Sequence, residues 1–144
     1  LYEFVNGTYD LIVCNPPFVL LPEEHSETID SFGGHYGIEL ALRVIGGLPK
    51  FLSEGGKAFV LAKAPILSDG RDLLMCKVQE LLHNHDISIK YQLISSTPIL
   101  PEHAQYYRLL GISELVMVVI QFQLGEKYEF HKLHTPFGSY RYHF

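Results

Sequence analysis

Tyr9-Asp10-Leu11-Ile12-Val13-Cys14-Asn15-Pro16-Pro17-Phe18 joins an apolar run to an asparagine, two prolines and an aromatic ring. Residues 9–14 show no polar alternation beyond Asp10, the pattern of a strand covered on both faces. Pro16 and Pro17 have a fixed φ and no N–H to donate, so a strand ends there. Each proline also holds the residue before it extended. The product is a stiff loop at the carboxyl end of a buried strand. It offers one amide side chain, free carbonyls and the Phe18 ring, an inventory that suits a flat group bearing an NH2.

The flanking sequence alternates helix and strand. Residues 19–35 are polar and rich in Glu, Ser, Gly and His, too long for a simple connector and so read as a functional or mobile loop. Ile38, Ala41, Leu42, Ile45, Leu48 and Leu52 recur at helical spacing, which predicts a helix over 36–52, bent near Pro49 and stopped by Gly55-Gly56. Glu39 at its start favours the helix N-terminus. Residues 57–63 read as a second buried strand. Asp69 with Asp72 resembles a capping box for a helix to about 83, with Leu74, Val78, Leu81 and Leu82 inward. Ile87, Ile89, Tyr91 and Leu93 alternate with polar residues, as in a half-exposed edge strand. Residues 101–110 predict a short helix, 115–120 an interior strand and 127–132 a last strand. This succession argues for α/β architecture with a largely parallel sheet. Ligands of such sheets bind at the carboxyl ends of strands, where Asn15 to Phe18 sit.

Composition bounds the reading. At 144 residues the chain has the length of one domain, and 47% apolar against 19% charged residues marks a globular one. A net charge of −5 lacks the basic footprint of a nonspecific nucleic-acid binder. Cys14 and Cys76 have no metal-type spacing and fit a reduced cytoplasmic protein. No apolar stretch approaches the roughly 20 residues of a membrane span.

The segment YDLIVCNPPF resembles the fourth motif of class I S-adenosylmethionine-dependent methyltransferases that modify planar nitrogens, whose signature is Asn/Asp-Pro-Pro-aromatic after an apolar strand. The stretch GIELALRVIGGLPKFLSEGGKAFVLAK is also similar to this group. The resemblance covers roughly residues 1–124. It implies the C-terminal half of a Rossmann-like methyltransferase sheet, strands four, five, seven and six, with the last core strand antiparallel between five and six. It implies S-adenosylmethionine as cofactor and Asn15, Pro16, Pro17 and Phe18 as catalytic residues, with Asn15 also toward the cofactor. The acceptor NH2 would donate to the Asn15 side-chain oxygen and the Pro16 carbonyl and stack on Phe18. Rate would come from positioning and electrostatics, with no strong base. The acceptor would be a protein glutamine amide or an RNA or DNA amino group.

Two family features are missing. No glycine-rich loop follows a first strand, and no acidic residue ends a second. LYEFVNGTYDLIV resembles family sequence just past the third strand, so the remainder of the cofactor site is expected upstream of Leu1. The expectation is a partial catalytic domain over 1–125, inactive alone, with the 9–14 edge exposed to self-association, followed by an aromatic, histidine-rich extension over 126–144. A noncatalytic binding or assembly module of the same fold is the alternative.

Other residues read as follows. His35 and Tyr36 border the polar loop and are candidate substrate contacts. His83-Asn84-His85-Asp86 follows a helix end, where such residues cap, and no metal is expected. His131 and His134 fall in an extended segment and read as surface or packing residues. Cys14 reads as a small core residue. The tail, with Lys132 and Arg141, reads as packing against the sheet or a following domain, with stacking on nucleotide bases the competing role.

Overall fold

The computed structural model of the chain describes residues 2–3, 5–18, 20 and 34–134. Leu1, upstream of which the rest of the cofactor site is expected, lies outside the described residues. So do most of the polar loop read at 19–35, and Arg141 with the rest of the tail past 134. The elements in order are β1 (Tyr9–Cys14), α1 (Glu39–Phe51), β2 (Leu52–Leu67), α2 (Leu73–Leu82) and β3 (Ile87–Thr97). A 3-10 turn at Pro101–His103 leads into α3 (Ala104–Leu109), followed by β4 (Ile112–Leu124) and β5 (Glu129–His134).

The strands form one sheet in the order β1-β2-β4-β3-β5. β1 runs parallel to β2, β4 is antiparallel to both β2 and β3, and β5 is parallel to β3. The last long strand therefore sits antiparallel between its two predecessors, as the resemblance implied. The short helix and the final strand of the sequence reading are also present.

One face of the sheet carries the core. Ala58, Val60, Ala62 and Ala64 of β2 and Val116, Val118, Ile120 and Phe122 of β4 pack with Ile87, Ile89 and Tyr91 of β3. α1 covers them with Ala41, Val44, Ile45 and Leu48, and α2 with Leu74, Val78 and Leu82, each an apolar stripe at helical spacing. α1 starts on its own carboxylate, for Glu39 accepts the backbone N–H groups of Tyr36 and Ile38. Tyr2 lies along α1, stacked on Phe51 at 4.4 Å between ring centroids and donating its hydroxyl to the Val44 carbonyl at 2.6 Å. Gly47 makes room for that ring, since a Cβ there would strike it.

Several expectations change. β1 is not covered on both faces: Leu11 and Val13 are 58% and 70% exposed, while Ile12 and Cys14 pack toward the core. Asp10, the polar residue in that strand, accepts the Ser53 hydroxyl. β3 is interior rather than an edge, because β5 pairs along Ser88 to Leu93. α1 runs through Pro49 and ends at Phe51 before the glycines. Gly55 and Gly56 instead form an irregularity inside β2, where Tyr9 pairs with Leu52 but Leu11 pairs with Lys57. A Cβ on Gly56 would lie 2.7 Å from the Ser53 carbonyl oxygen, so only glycine fits. The capping box is not formed. Asp69 pairs with Arg71, and Asp72 alone caps α2 by accepting the Met75 N–H at 2.8 Å. Leu81 is 44% exposed, in a groove between α1 and α2 lined by Leu42, Arg43, Gly46, Lys77 and Glu80.

Asp72 also ties α2 to the sheet. It is 3% exposed, and both its carboxylate oxygens accept the Tyr91 hydroxyl, at 3.1 and 2.9 Å. Burial raises the Asp72 pKa above its ordinary 3.8, and burial beside that carboxylate raises the Tyr91 hydroxyl as well. With its folded pKa raised, Asp72 holds a proton in the native chain at a pH where the unfolded chain has released it. Native stability from this residue is therefore greatest at acid pH and falls as pH rises above 3.8 through the folded value. Asp72→Asn keeps an acceptor for Met75 and Tyr91 without the charge. Its urea midpoint should gain on that of the wild type as pH is raised from about 4 to about 7. Asp72→Ala, which loses the cap and strands the Tyr91 hydroxyl, should cost about 2–3 kcal/mol.

Candidate acceptor site

The prolines do what their chemistry requires. The β1–β2 ladder reaches its last pair at Cys14 and Val60, and the chain then leaves the sheet as Asn15-Pro16-Pro17-Phe18. β2 continues for seven residues to Leu67, paired with β4 on its other side. The motif thus lies on a ledge beside a strand that outlasts its neighbour, at the carboxyl ends of the parallel strands. Asn15 is exposed, Pro16 is buried, and Pro17 and Phe18 are half-buried. The Asn15 side chain is thus open to solvent while the prolines behind it are wholly or partly covered.

Three contacts hold the ledge. Gly37, at φ +71°, backs onto it so closely that a Cβ would lie 2.9 Å from the Phe18 carbonyl oxygen. Tyr107 of α3, 6% exposed, donates its hydroxyl to the Leu20 carbonyl at 3.1 Å. Leu20 and Tyr107 share a second apolar cluster with Ile112 and Leu115 of β4, flanked by Tyr36, Leu67, Ile99, Tyr106 and Leu110. That cluster forms the floor under the strand ends. The third contact is electrostatic: the Lys63 ammonium of β2 stands over the Phe18 ring, 5.1 Å from its centroid.

His35 and Tyr36 precede Gly37 in the turn that leads into α1. Tyr36 is half-buried between the two apolar clusters, and His35 is exposed with its ring edge-on to Tyr36 at 4.9 Å. Their neighbour Gly37 lies against the Phe18 carbonyl. The remaining candidates lie elsewhere. His83 presents Nδ1 to the Glu80 carbonyl at the end of α2, 2.9 Å away, and His131 pairs with Glu129 on the exposed side of β5. Cys14 is half-buried with its thiol pKa raised by burial, the opposite of an activated nucleophile.

Sequence reasoning missed Gly37, Tyr107 and Lys63. Only Lys63 left a signal, a cation directly after the apolar run 58–62. Tyr107 and Leu20 are 87 residues apart, and no local pattern links them.

Gly37→Ala forces a side chain into the left-handed region and against the Phe18 carbonyl. It should destabilise the chain by about 1–3 kcal/mol in urea unfolding and shift the Phe18 ring resonances. Gly46→Ala, in open space within α1, should instead stabilise by up to about 1 kcal/mol and leave those resonances in place.

No family model matches the chain. Among curated proteins it is 40% identical over 67 residues to a chain from Methanocaldococcus jannaschii named as a protein N5-glutamine methyltransferase, covering 42% of this chain and 33% of that one. It is 35% identical over 89 residues to the ribosomal protein uL3 glutamine methyltransferase of Neisseria meningitidis, covering 56% of this chain and 28% of the relative. The chain thus spans about a third of the length of these relatives. Among solved structures, a Pyrococcus furiosus methyltransferase is 20% identical with a TM-score of 0.40, over 82% of this chain and 42% of its own. The resemblance to N-methyltransferases read in the motif is borne out by sequence: this chain is a homologue, over 67 to 89 aligned residues, of proteins named as glutamine methyltransferases.

Proposed function

We propose that the chain is the acceptor half of an S-adenosylmethionine-dependent N-methyltransferase acting on a planar nitrogen, a protein glutamine amide ahead of a nucleobase amino group. The observation that carries the reading is the position of Asn15-Pro16-Pro17-Phe18. It hangs off the carboxyl end of β1 with its amide exposed and its base anchored, in a chain homologous to glutamine methyltransferases. The reading belongs to a reducing, cytoplasmic setting, which suits the free thiols of Cys14 and Cys76.

The chemistry of this chain's residues is positional. The acceptor NH2 donates one hydrogen bond to the Asn15 side-chain oxygen and another to the Pro16 carbonyl. Those bonds turn the nitrogen lone pair out of conjugation and toward the donor, and the Phe18 ring fixes the plane of the group. The nitrogen sheds its proton after attack, so the site needs no strong base. S-adenosylmethionine, when bound, supplies an electrophilic methyl group on a sulfonium. The described residues do not cradle it. Asn15 is the residue we assign toward it, and the acids after β2 are engaged, Asp69 by Arg71 and Asp72 by Tyr91 and Met75. We assign the rest of the donor site to residues other than these.

In protein carrying both halves, Asn15→Ala should abolish turnover of a glutamine peptide while calorimetry finds cofactor affinity nearly intact. Retained turnover would sink the reading. If instead the wild type neither binds S-adenosylmethionine nor methylates, the noncatalytic module takes its place.

The same reading gives a role to the open side of β1. Leu11 and Val13 project next to Phe59, in register with Val13, and to Leu61, in register with Val119. We assign this strip and the free β1 edge to self-association when the chain stands alone. Val13→Asp should then shift the chain toward monomer in sedimentation velocity, with an unchanged far-UV spectrum. An unshifted distribution would remove the edge from the association.

A further inference from the structure

Lys63 is out of keeping with its strand. Residues 58–62 of β2 are apolar, and Lys63 follows them half-buried, in register with Met117 of β4. Its ammonium finds the face of Phe18, a weak substitute for water or an anion. Among the described residues no carboxylate reaches it: the ion pairs are Arg71–Asp69, Lys77–Glu80 and His131–Glu129. Burial lowers its pKa, as expected of a cation partly removed from water without a counter-charge.

Phe18 is the ring on which the acceptor's flat group stacks in the reading above, and this inference rests on that reading. An amide that takes this ring face displaces the ammonium. The lysine stem is long and flexible enough to swing aside while its charge stays at the rim of the site. A half-buried ammonium that has lost its ring needs another partner, and the natural one is an anion carried by the molecule that displaced it. We propose that Lys63 is a specificity-determining residue that binds an acidic side chain of the acceptor protein, close in sequence to the glutamine whose amide lies on Phe18. A carboxylate is favoured over a nucleic-acid phosphate because the chain's net charge of −5 repels a polyanion, while one local ammonium suffices for a single acidic residue.

The test uses two peptides around one glutamine, differing only in a glutamate or a glutamine two residues away. Their binding to the 144-residue chain is followed by chemical-shift titration. The acidic peptide should bind about tenfold tighter to the wild type, a preference that falls to about one in Lys63→Met and persists in Lys63→Arg. An unchanged ratio in Lys63→Met overturns the inference, and so does a preference lost in Lys63→Arg. It is also overturned if Lys63→Met weakens binding of a short single-stranded oligonucleotide while the peptide ratio stands. Wild type that binds both peptides equally overturns this inference and leaves the acceptor site in place. Wild type that binds neither overturns both.

Discussion

The structure depends on a mismatch in length between two parallel strands. β1 stops pairing at Cys14 because the two prolines just beyond it cannot keep a ladder going, while β2 runs on to Leu67. The step between them is the ledge. Had β1 continued, Asn15 would point from a sheet face and its backbone carbonyls would be engaged by β2. Because it stops, an exposed amide and a half-buried ring stand at the end of the sheet where parallel strands present their ligands. Proline achieves this by withholding a donor and fixing φ.

The ledge is rigid because the rest of the fold returns to it. Gly37 closes against the Phe18 carbonyl, Tyr107 reaches Leu20, and the cluster around Ile112 and Leu115 fills the space beneath. The main core lies apart from it, between one sheet face and the helices α1 and α2. There the buried Asp72–Tyr91 pair joins α2 to β3 and satisfies two groups that burial would otherwise penalise. The opposite sheet face is asymmetric. Toward β1 it presents Leu11, Val13, Phe59 and Leu61, and toward β3 it presents Ser88, Lys90 and Gln92.

Much of this was legible in the chain. The apolar runs, the proline pair and the helical spacing of Ala41, Ile45 and Leu48 placed the elements, since each is written in neighbouring residues. The misreadings differ in cause. β3 alternates like an edge strand, but its polar residues face the open side of the sheet, and β5 still pairs along it. Gly55-Gly56 looked like a helix stop, yet the helix ended at Phe51, where Leu52 turns the backbone extended. Asp69 and Asp72 had capping-box spacing, but Arg71 engaged Asp69 first. Only for β3 did a partner supplied by the fold decide; Asp69 was taken by a residue two positions away and α1 by its own C-cap.

By itself the sequence determined where the first strand ends and which groups stand at its end, because a proline's lost donor and an asparagine's amide are properties of single residues. Only the tertiary structure decided what surrounds those groups. Lys63 over Phe18, Tyr107 beneath Leu20 and Gly37 behind the ledge are separated along the chain by 45, 87 and 19 residues. Their meeting depends on strand order and on how far β2 extends past β1. Those are outcomes of packing the whole sheet against its helices, and no window of sequence contains them.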